Sequence, residues 1–137
     1  MTIFTCIDDN NGMLFNHRRQ SRDEAVLKDM LTAAEGKIWM NTYSSKLFGS
    51  VSDKVIVEDN LFECAPEDSY CFVENIPLKA YEDKIEVMII YYWNRIYPAD
   101  TYLDLDLKLD WEAADTKEFG GTSHEKITRK TYKRKNQ

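Results

Sequence analysis

Residues 8–24 read Asp8-Asp-Asn-Asn-Gly-Met-Leu-Phe-Asn-His-Arg-Arg-Gln-Ser-Arg-Asp-Glu24. This stretch joins an apolar segment, Thr2-Ile-Phe-Thr-Cys-Ile7, to the best helical pattern in the chain. The first segment is rich in β-branched and aromatic residues and reads as a buried strand. Asp9-Asn10-Asn11-Gly12 is a turn, because Asn and Gly tolerate the positive φ that a tight reversal needs. Met13-Leu14-Phe15 follows as a short apolar segment, and residues 16–20 as a polar loop. Ser21 and Glu24 have capping-box spacing. Val26, Leu27, Met30, Leu31 and Ala34 then recur on one helical face, with Gly36 as the stop. A helix over 22–35 is expected.

Outward from this strand–loop–helix unit, Lys37–Asn41 reads as a second strand. Residues 42–48 read as one or two helical turns with Thr42 as a cap. Asp53–Val57 is a third strand. Residues 59–65 are helical, capped by Asp59 or Asn60. Tyr70–Val73 is a fourth strand, and Pro77–Asp83 a short helix with Pro at its start. Ile85–Trp93 is the most apolar run and reads as the central strand. Tyr102–Asp110 alternates leucine with charge and predicts a strand with one wet face. Residues 111–119 and 125–134 are two more strands around Gly120-Gly121. The alternation of strands and helices predicts an α/β fold with a central, mostly parallel sheet flanked by helices and an antiparallel C-terminal hairpin.

The 137 residues fit one domain, 1–137, and 43% hydrophobic content can fill a core. No apolar run is long enough to span a membrane, and no basic region precedes the N-terminal apolar segment; a cytoplasmic protein, monomer or homodimer, is expected. Cys6, Cys64 and Cys71 form no paired motif, and Cys6 and Cys71 read as buried thiols. With two histidines and no Cys-x-x-Cys, no metal site is indicated. Net charge is −6, yet residues 125–137 hold six basic residues against Glu125. An acidic body with a basic end argues against a nucleic-acid binder and leaves room for a local anion site.

Several stretches resemble the dihydrofolate reductase family over nearly the whole chain. The first strand with Asn11-Gly12-Met13 resembles the family's first strand and active-site loop. The helix starts where the substrate-facing helix does, so the resemblance places Asp23 or Glu24 near the carboxylate that holds the pterin ring. Lys37-Ile-Trp-Met-Asn-Thr-Tyr-Ser44 resembles the strand ending in Met-Gly-Arg-x-Thr. Tyr70–Val73 and Val87–Ile90 resemble the strands leading to the Gly-Gly cofactor turn. Trp111, Gly120-Gly121 and the Lys- and Tyr-rich end resemble its C-terminal hairpin.

The departures fall on the cofactor and substrate motifs. His17-Arg18-Arg19 replaces Leu-Pro-Trp. Asn41-Thr42 stands for Gly-Arg, removing the Arg that grips the 2′-phosphate of NADPH. Tyr91-Tyr92 replaces the Gly-Gly that lets backbone approach pyrophosphate, and Trp93–Thr101 is too short for the helix that follows. The expectation is a retained scaffold without cofactor.

Candidate ligand-binding residues are therefore His17, Arg18, Arg19, Asp23 and Glu24, binding a small anionic ligand or a protein partner. Each has a plainer reading: a helix cap for Asp23 and Glu24, a solvated loop for residues 17–19. Two alternatives stand: a pterin or folate reductase with an altered cofactor mode, and a small metal-independent RNA-processing enzyme using His17, Arg18, Arg19 and the basic end. Asp104, Asp106 and Asp110 read as a solvated face rather than a cation site. Tyr91, Tyr92, Trp93 and Tyr97 read as core and strand-end packing, with ligand stacking as the alternative.

Overall fold

A computed structural model describes residues 1–49 and 53–135. Its strands are β1 (Thr2–Ile7), β2 (Gly12–Phe15), β3 (Arg18–Arg19), β4 (Ile38–Met40), β5 (Val55–Val57), β6 (Tyr70–Phe72), β7 (Val87–Tyr92), β8 (Thr101–Tyr102), β9 (Trp111–Phe119) and β10 (Ile127–Arg134). Its helices are α1 (Glu24–Ala33), α2 (Thr42–Ser45) and α3 (Leu61–Cys64), with 3-10 turns at Lys46–Phe48 and Lys79–Lys84. The main sheet has the order β5-β4-β6-β1-β7-β10-β9. Its first five strands are parallel, and β10 is antiparallel to both β7 and β9. A small antiparallel sheet, β3-β2-β8, sits beside it. The α/β architecture is as expected.

Period-two alternation divides the core between the two sheet faces. Ile3 and Ile7 of β1 join Met88 and Ile90 of β7 on one face. Phe4 and Tyr91 join Val26, Leu27 and Met30 of α1 on the other. The strand at the middle of the sheet is β1, and β7 lies next to it. The apolar run 85–93 is thus an interior strand rather than the central one.

Helix α1 is shorter than 22–35, and its N-cap is Asp23, whose carboxylate accepts from Ala25 N at 2.9 Å. Ser21 is not the cap, and Glu24 pairs on the surface with Arg22. The helix ends before Gly36: Ala34 is already extended, and the Lys54 ammonium donates to the free carbonyls of Leu31 and Ala34. Helix α2 is capped by Asn41 rather than Thr42, through Ser44 N at 3.0 Å. Asp59 does not cap α3; it accepts from the Thr42 N–H and hydroxyl instead.

The alternating stretch 102–110 is not a strand beyond Tyr102. Leu103 and Leu105 are buried across the sheet face, while Leu109 is 68% exposed. Its aspartates account for the difference. Asp104 accepts from Leu78 N and Lys79 N, and Asp106 accepts from Lys108 N and Leu109 N, closing a local turn. Residues 93–100 contain no helix. Cys71 is buried, Cys6 partly so, and all three cysteines are free.

Candidate functional site

Strand order reverses around β1, and the crevice at the C-terminal ends of parallel strands is where open α/β sheets place ligands. On the β6 side of β1 that crevice is filled from within. Glu74 lies just past β6, and Arg19 reaches it from β3 as a bidentate pair, Nε to Oε2 at 2.8 Å and Nη2 to Oε1 at 3.0 Å. The Ser44 hydroxyl donates to the same carboxylate at 2.7 Å. The Tyr43 ring lies 4.2 Å from the guanidinium, and its hydroxyl accepts from Arg19 N. Burial works against the Arg19 charge, but the Glu74 carboxylate outweighs it and raises the guanidinium pKa. The space left between Cys6, Arg19, Gln20, Ser21 and Glu74 is about 10 Å³, roughly one water's worth.

Asp8 fixes the loop that follows β1. Its buried carboxylate accepts from Asn10 N, Gly12 N, the Gln20 amide and Tyr97 N, at 2.7–3.0 Å. Burial alone would raise its pKa; these donors lower it. A Cβ on Gly12 would meet Gln20 Nε2 at 2.6 Å and Ala99 Cβ at 2.7 Å. The loop therefore closes this tightly only with glycine there.

The second buried cluster is built on Asp23. Besides Ala25 N, its carboxylate accepts from Thr122 N, Ser123 N and His124 N of the β9–β10 turn, at 2.8–3.0 Å. The His124 imidazole binds it through Nδ1 at 2.9 Å. Burial pushes the Asp23 carboxyl up, but these donors prevail and hold its pKa at about 2. Gly121 makes the approach possible: a Cβ there would sit 2.5 Å from Asp23 Oδ2. His124 Nε2 faces two hydroxyls, Tyr97 at 2.8 Å and Ser21 at 3.1 Å. The Trp93 ring stacks on the imidazole at 4.7 Å.

The five residues singled out in the sequence do not converge. His17 and Asn16 form the β2–β3 turn with φ of 63° and 51°, and His17 borders a hollow of about 340 Å³ with Asn75, Thr101 and Tyr102. Arg18 and Arg19 border a different hollow of about 520 Å³, with Phe15, Gln20, Tyr97 and Pro98. Arg19 is also the partner of Glu74. Asp23 is saturated by its own chain, and Glu24 is on the surface. His124 borders a third hollow, of about 560 Å³, with Trp93, Arg95 and Lys126, so the two histidines do not share a site. Tyr91 is buried in the core and donates to Asp29, itself paired with Arg129, while the Tyr92 and Tyr132 hydroxyls bond each other. Burial, then Asp29, pushes the Tyr91 phenol pKa up.

Glu74, Ser44, Tyr97 and the Ser21–His124–Asp23 cluster were not singled out together from the sequence. Their members are far apart in the chain, and no local pattern links them.

Together the strand order and the position of the crevice define a dihydrofolate reductase-like fold. Among solved structures, the chain is similar to dihydrofolate reductase from Enterococcus faecalis, complexed with NADP(H) and RAB-propyl. The TM-score is 0.70 at 11% identity, covering 98% of this chain and 96% of that one. The sequence matches no family model and no curated protein. Among the described residues, no helix is long and apolar enough to cross a membrane.

Proposed function

We propose that this protein binds a small anionic ligand on a dihydrofolate reductase-like scaffold and does not carry out NADPH-dependent catalysis. The observation that carries the reading is the hollow of about 520 Å³ at the β2–β3 hairpin, which has Arg18 and Arg19 on its walls and no carboxylate. Arg18 is exposed and has no ion-pair partner among the described residues. A free guanidinium suits a carboxylate or phosphate, which it grips through two parallel N–H bonds. Phe15, 43% exposed, and Tyr97 offer apolar surface to the body of such a ligand.

Two features speak against the cofactor. On the β6 side of β1 the crevice is occupied by Arg19 and Glu74, leaving about 10 Å³. Tyr91 and Tyr92 stand where the resembled family has glycines, and a phosphate needs close backbone approach there. Free cysteines suit a reducing compartment, and the cytoplasm is the proposed location.

Calorimetric titration with inorganic phosphate and with citrate tests the reading. Saturable 1:1 binding of at least one is expected, weakened about tenfold by Arg18→Ala, equivalent to about 1.4 kcal/mol. No saturable binding, or binding indifferent to Arg18→Ala, overturns it.

A further inference from the structure

The geometry points to Ser21 as a nucleophile served by His124 and Asp23, a centre for transfer of the acyl group of a small ester or thioester to water. An oxygen nucleophile needs a base within hydrogen-bond reach, and the base needs a third group to orient it. All three are present. Ser21 Oγ lies 3.1 Å from His124 Nε2, and His124 Nδ1 lies 2.9 Å from Asp23 Oδ2.

Asp23 is ionised at neutral pH and can only accept, so Nδ1 carries the proton it shares with the carboxylate. In the neutral imidazole, Nε2 then presents its lone pair to Ser21, the tautomer a general base requires. Three turn N–H groups hold the carboxylate and the Trp93 ring holds the imidazole plane. Asp23 and His124 are buried, while Ser21 is half-exposed. The helix cap does not explain the arrangement, because Asp23 caps α1 and leaves the Ser21 hydroxyl to the imidazole.

In the acylation step, Ser21 Oγ bonds to the carbonyl carbon and its proton passes to His124 Nε2. The bond from that carbon to the leaving oxygen or sulfur breaks, and the leaving group takes the proton from His124. Water then repeats the sequence: its proton goes to Nε2, its oxygen bonds the acyl carbon, and Ser21 leaves reprotonated. Tyr97 shares Nε2 with Ser21 at 2.8 Å and stands 3.5 Å from Ser21 Oγ. When Ser21 takes the base, the Tyr97 O–H is released from Nε2 and is available as a donor close to Ser21 Oγ. The small space beside Ser21 is bordered by Gln20, whose Oε1 is the buried side-chain acceptor left without a partner among the described residues.

A neutral fluorophosphonate ester tests the assignment on the full chain, independently of anion binding at Arg18. Its phosphorus bonds Ser21 Oγ, fluoride leaves, and the serine proton goes to His124. Peptide mass spectrometry is expected to find one phosphonyl group per chain, on Ser21, absent in Ser21→Ala and formed about 100-fold more slowly in His124→Gln. Ser21→Ala keeps the His124–Asp23 and His124–Tyr97 bonds, so it carries the test even if the buried His124 substitution unfolds the chain. Wild-type labelling no faster than Ser21→Ala, or Ser21 labelled as fast in a folded His124→Gln, overturns the proposal. Phosphate or citrate binding that fails while Ser21 is labelled removes only the anion reading.

Discussion

Glu74 and Asp23 are both buried carboxylates, one past the C-terminal end of β6 and the other at the N-terminus of α1, and their partners differ in kind. Glu74 is met by side chains, Arg19 and Ser44, and Arg19 leads on only to the Tyr43 ring and carbonyl. Asp23 is met mostly by backbone N–H groups, and its one side-chain donor leads outward through an imidazole to two hydroxyls. A carboxylate answered by a guanidinium makes a plug, because Arg is always charged and has no acceptor to pass a proton onward. A carboxylate answered by histidine makes a relay, because imidazole has a second nitrogen. The same end of the sheet thus holds a closed cluster just past β6 and an open cluster beside it.

The largest effect should come from breaking the closed cluster. Glu74→Gln leaves the Arg19 guanidinium, only 22% exposed, without its carboxylate. Unfolding in urea should show a loss of about 3 kcal/mol, the lower end for a broken buried pair. A loss below about 0.5 kcal/mol would mean that the pair is solvated and does not fill the crevice.

Asp23→Asn should cost less and show a pH signature. The folded carboxyl sits at about 2 against a reference of 3.8, worth about 2 kcal/mol by linkage. Because the folded value is depressed, that stabilisation is fully present above the unfolded pKa and lost as pH falls through about 2. Wild type and Asp23→Asn should therefore differ most above about pH 4 and converge toward pH 2. A constant difference across that range would mean that the carboxylate's charge is not what the turn at 121–124 is built around.

The sheet was legible because period-two patterning and apolar runs are local. Thr2–Ile7, Tyr70–Val73 and the two C-terminal strands are where the residues say they should be. Where the expectations fail at polar residues, the side chains choose partners that sequence spacing does not reveal. Ser21 has the spacing of a cap but bonds an imidazole 103 residues away. Asp104 and Asp106 look like the wet face of a strand but bind backbone N–H groups and bend the chain. Arg19 was a fair choice as an anion-gripping residue, yet the carboxylate it grips is the protein's own Glu74. His17, two residues before it, is carried to another hollow by the reversal of the β2–β3 hairpin.

If Arg19 and Glu74 close the crevice on the β6 side of β1, as proposed, a dinucleotide has no room there. Titration of the full chain with NADPH, followed by nicotinamide fluorescence, tests this most directly. No saturable change is expected at cofactor concentrations up to about 1 mM, an affinity no better than about −4 kcal/mol. Saturable micromolar binding would contradict it.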